Sequence, residues 1–81
     1  MVNNEKTFKQ NLNEIQEFLS SRKQLSVLAV KCNVSLRTVY NTFETTEFDD
    51  LKGKQIKVYR MAINMVTEIK SLQEQATDAL K

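Results

Sequence analysis

The chain has 81 residues, a net charge of +2, one cysteine, one glycine, no proline and no histidine. This length supports one domain with a small core. Without histidine, a cysteine pair or a glycine-rich loop, general-base catalysis, a zinc site, an internal disulfide and phosphate cradling lack their usual residues, so no enzyme, cofactor or metal is expected.

β-Branched residues do not alternate with polar ones in the manner of strands, and no apolar run approaches a membrane span. The first ten residues, MVNNEKTFKQ, lack the apolar core of a signal peptide. An all-α, soluble, cytoplasmic protein is expected, with no membrane partner and a helical core over residues 1–50 followed by one long helix over 51–81.

In chain order, Asn3 or Asn4 can cap a first helix, with Glu5 near its positive end. Phe8, Leu12, Ile15 and Leu19, with Phe18 beside them, form a stripe spaced by four, three and four. That helix packs on one side and ends near Ser21 or Arg22. Leu25, Leu28 and Ala29 then mark one face of a second helix. Cys32, just before a turn, suits a small buried position and is assigned no chemistry. Asn33 tolerates a left-handed backbone, and Ser35 can cap a third helix. In the third helix Val39 and Phe43, four apart, face inward, leaving Leu36, Arg37, Tyr40 and Asn41 outward.

The stretch Leu25–Phe43, LSVLAVKCNVSLRTVYNTF, resembles the helix-turn-helix of bacterial repressors of the lambda-repressor and LacI type. The matching residues are Ala29, small where two helices cross, the turn Asn33-Val34-Ser35, and the pair Thr38-Val39. Asn33 stands where that family usually has glycine, and Gln24 where it has a serine or threonine cap. The resemblance implies a three-helix DNA-binding core whose last helix enters the major groove. It implies base-edge roles for Leu36, Arg37 and Asn41: arginine pairs with guanine, asparagine with adenine, and leucine meets a thymine methyl. Thr38 or Tyr40 falls near the DNA backbone. Ser35, Lys31, Arg22 and Lys23 become phosphate contacts. For Tyr40 two placements stay open: its hydroxyl on a phosphate, or its ring half-buried against a neighbouring helix.

Glu44 to Asp50, ETTEFDD, reads as a connector, with Thr46 or Asp50 as the next cap and Phe48 and Leu51 as anchors. Gly53 lies near the start of the long helix or in its first turn. From about residue 51 to 80 this helix carries two stripes. One is Ile56, Tyr59, Ile63 and Val66. The other is Val58, Ala62, Met65, Ile69, Leu72, Ala76 and Ala79, a seam of alternating four- and three-residue steps. One stripe is expected on the core and the seam in a homodimer. The alternative is that both fold onto the same core.

Charge is distributed in blocks. Residues 20–43 hold Arg22, Lys23, Lys31 and Arg37 and no acid; residues 44–50 hold Glu44, Glu47, Asp49 and Asp50 and no base; residues 51–60 hold Lys52, Lys54, Lys57 and Arg60 and no acid. Basic blocks on the motif and on the following helix can track phosphates, or be ordinary solvated faces. Two functions follow: a sequence-specific double-stranded DNA-binding protein of the small bacterial transcriptional-regulator kind, or a helical protein-interaction module acting through the long helix without DNA.

Overall fold

The computed structural model describes residues 7–80. Four helices follow one another: α1 (Phe8–Ser21), α2 (Leu25–Cys32), α3 (Leu36–Phe43) and α4 (Lys54–Ala79), with a 3-10 turn at Phe48–Asp50 before α4. The fold class is therefore all-α with a long C-terminal helix, as the periodicities require. Among the described residues no helix is long and apolar enough to cross a membrane.

Candidate caps Asn3 and Asn4, and the neighbouring Glu5, lie outside the described residues. The start of α1 is set by Thr7, whose hydroxyl accepts from the Gln10 amide while Gln10 Oε1 accepts from the Thr7 amide. This reciprocal box satisfies two donors that a helix start otherwise leaves free. The helix ends at Ser21, and Lys23 takes the left-handed conformation at φ 58°. The Lys23 amide donates to Ser20 and the Gln24 amide to Leu19, at 3.0 and 2.8 Å. This is a Schellman ending built without glycine.

The core joins Leu12 and Leu19 of α1, Leu25, Leu28, Ala29 and Cys32 of α2, Val39 and Phe43 of α3, and Val58, Ala62 and Met65 of α4. Ala62 is fully buried and Ala29 nearly so, and side chains this small allow close packing of helix on helix. The first half of α4 is thus part of the core.

This burial corrects the expectation for the heptad seam. Val58, Ala62 and Met65 cannot serve a dimer interface, because they close the chain's own core at 0, 0 and 4 % exposure. Ile69 also packs partly against it. The other stripe is left nearer solvent, with Ile56 and Ile63 at 39 and 38 %. Spacing defines which residues share a face of α4; only the placement of α1–α3 decides which face they cover.

The connector anchors through Leu51, which is 5 % exposed. Phe48 stays half exposed but meets Phe8 and Tyr59 edge-on, with ring centroids 5.8 and 6.1 Å away. Neither Thr46 nor Asp50 caps α4: Gly53 holds that position at φ 49°, ψ −112°. Beside it, Gln55 Oε1 accepts from the Lys52 amide at 3.1 Å.

At 26 residues α4 is about 39 Å long. Its last part runs past the core, and every residue from Lys70 to Leu80 is exposed. The radius of gyration, 14.1 Å, consequently exceeds the roughly 12 Å of a compact chain of this size.

Candidate nucleic-acid interface

The α2–α3 joint is built by local chemistry. Asn33 adopts φ 56°, ψ 48°. Its amide donates to Val30 and the Val34 amide to Ala29, both at 3.0 Å, a second Schellman ending. Ser35 is in extended backbone and its hydroxyl oxygen accepts from the Thr38 amide at 3.2 Å, starting α3. The two hydroxyls of Ser35 and Thr38 also lie within hydrogen-bond distance, at 3.1 Å. At the start of α2, Gln24 makes no side-chain cap.

α3 is sharply two-sided. Val39, Thr42 and Phe43 are buried at 0, 0 and 1 %. Thr42 is the polar member of that face; its hydroxyl donates to the Thr38 carbonyl at 2.8 Å, which removes the cost of burying it. Val39 and Phe43 were readable from their spacing, but Thr42 was not, because its burial follows from packing. On the outward side Leu36 and Tyr40 are 40 and 42 % exposed, and Arg37 and Asn41 are exposed as well. Thr38 is intermediate.

Lys31 is exposed in the last turn of α2. The Cys32 thiol donates to the Lys57 carbonyl at 3.8 Å, which sets the first turns of α4 beside the end of α2. Burial pushes the Cys32 thiol above its ordinary value, with nearby Lys57 pulling the other way. Lys54, Lys57 and Arg60 are all exposed.

Lys23 and Arg22 part company. Lys23 lines a shallow hollow of about 230 Å³ with Ser20, Leu25, Ser26, Leu36 and Tyr40, directly beside the outward face of α3. Lys23 reaches it from a left-handed backbone that no residue type announced. Arg22 turns instead onto α1: its guanidinium carbon sits 3.7 Å from the centre of the Phe18 ring, and Nη1 donates to the Phe18 carbonyl at 3.2 Å. Stacking and a helix-end carbonyl hold the exposed Arg22 side chain on α1, and it does not line the hollow that Lys23 lines.

Of the expected site residues, the structure brings together Leu36, Arg37, Tyr40 and Asn41, with Thr38 and Ser35 at the same end of α3 and Lys23 alongside. The remaining seam residues Leu72, Ala76 and Ala79 lie apart on the exposed end of α4. Among the described residues no group of three or more His, Cys, Asp or Glu is placed to hold a metal ion. No protein-family model, no curated protein and no solved structure matches this chain.

Proposed function

We propose that this chain is a sequence-specific double-stranded DNA-binding protein, a small transcriptional regulator of the bacterial kind, that lays α3 in the major groove. The observation that carries the reading is the two-sidedness of α3. One face is locked into the core, while the other offers Leu36, Arg37, Tyr40 and Asn41 on a rigid, capped helix. Arg37 and Asn41 supply bidentate pairing to guanine and adenine, and Leu36 an apolar surface for a thymine methyl. Lys23, Lys31, Ser35 and the Tyr40 hydroxyl are the positioning contacts, with Thr38 near the backbone. No acid lies between Ser20 and Phe43 to repel phosphates.

The test is fluorescence anisotropy with a labelled mixed-sequence duplex across a salt series, followed by selection of a preferred site from random DNA. Salt-sensitive affinity and a selected consensus are expected. The exposed end of α4 favours a second reading, a helical protein-interaction module; absence of any DNA affinity at low salt would overturn the first reading in favour of that one.

A further inference from the structure

Beyond Met65 the apolar line of α4 leaves the core that covers its first half. Ile69 is half-buried, Leu72 is 57 % exposed, and Ala76 and Ala79 continue the line in solvent. A helical end of this length is marginal without a partner. We infer that it pairs antiparallel with the same segment of a second copy, about a two-fold axis level with Glu74.

The order of side chains selects that occupant. Along the line the residues run large, large, small, small: Ile69, Leu72, Ala76, Ala79. Reversed, the order is small, small, large, large. In an antiparallel pair centred at Glu74, Ile69 therefore meets Ala79 of the second copy, and Leu72 meets Ala76. Each layer then holds one large and one small side chain, so the two helices keep one separation along the contact. An interface of this kind is self-complementary, as a two-fold demands. A parallel pair would set Leu72 on Leu72 and Ala76 on Ala76, leaving a gap beside a bulge. The line itself carries no charge; Glu68, Lys70, Glu74 and Asp78 lie off it. Flanking the seam, Leu80 is 87 % exposed. With the axis at Glu74 it falls level with Glu68 of the second copy, just outside the Ile69–Ala79 layer.

The area sets the strength. The contact runs about 15 Å along each helix and covers on the order of a few hundred Å² per copy, less than the roughly 800 Å² of a typical stable complex. The pair therefore forms at high protein concentration and dissociates on dilution.

The test uses the full chain without DNA, so its outcome is separate from that of the DNA-binding reading. Sedimentation equilibrium from about 10 µM to about 1 mM, a window that spans weak association, is expected to show a monomer passing to a dimer. Ala76→Glu, at a position exposed in the single copy, should leave the melting temperature of dilute protein unchanged and abolish the dimer. Orientation is read by mixing two single variants, Leu72→Cys and Ala76→Cys, with oxidised glutathione. The mixed 72–76 disulfide should dominate over either homodimer. A wild-type protein still monomeric at the top concentration, an Ala76→Glu variant that dimerises normally, or a dominant 72–72 disulfide would each overturn the inference.

Discussion

The Lys9 ammonium on α1 donates to the Phe43 carbonyl at the end of α3, at 2.8 Å and across 34 residues of sequence. It places a positive charge at the negative end of the helix whose outward face forms the candidate interface. Lys9→Met keeps the apolar stem and removes the donor. Its expected cost is about 1 kcal/mol, read as a melting temperature lower by about 4–8 °C for a domain of this size. An unchanged melting temperature would show that the contact holds nothing.

Arg37→Ala should weaken binding to the selected DNA site by about 1–3 kcal/mol and relax the preference at one base pair, the signature of a lost bidentate contact. Lys31→Ala should weaken all sequences alike and reduce the salt slope by about one unit. Arg22→Ala, by contrast, should leave the salt slope unchanged, because that side chain is stacked on Phe18. Anisotropy titrations of the three variants separate these outcomes.

Cys32 is 2 % exposed and its thiol is shifted upward by burial. The native protein should resist thiol reagents at neutral pH and become reactive on unfolding. The folded state holds the proton more tightly than the unfolded one. As pH rises through the ordinary thiol range near 9, the unfolded chain releases its proton first, so stability falls. Denaturant titrations at pH 7 and pH 10 should show this decline, and Cys32→Ala should flatten the thiol's share of it.

Asn33 holds a left-handed conformation that asparagine tolerates better than most residues. Asn33→Gly should be neutral or slightly stabilising, while Asn33→Ala should cost about 1 kcal/mol through backbone strain alone. Equal melting temperatures for the two variants would refute the assignment of strain to this joint.

Ala62, on the inward face of α4, is fully buried in the core. Ala62→Leu should overpack the core and cost about 1–3 kcal/mol in dilute protein, where no second copy is bound. If this substitution left the monomer's stability intact, the place given to the first half of the seam would be wrong.

Local chemistry was sufficient for the α2–α3 unit. Asn33 for the left-handed turn, Ser35 for the cap, and Val39 with Phe43 for the inward face are each dictated by a few neighbouring residues. The start of α1 rests on the capping box of Thr7 with Gln10, a pairing that residue type alone did not single out. Lys23 was illegible because a Schellman ending can be forced on a lysine by the chain that follows it. α4 marks the limit most clearly. Its two stripes follow from helical spacing, which is a property of the chain alone. Which stripe is covered depends on where α1, α2 and α3 lie, and they take up Val58, Ala62 and Met65 while leaving Leu72, Ala76 and Ala79 in water. The same holds for Arg22 and Lys23: adjacent cations with one composition-level meaning, one stacked on the Phe18 ring and the other lining the hollow beside α3. Periodicity names faces; burial, which depends on contacts between residues far apart in the chain, assigns their partners.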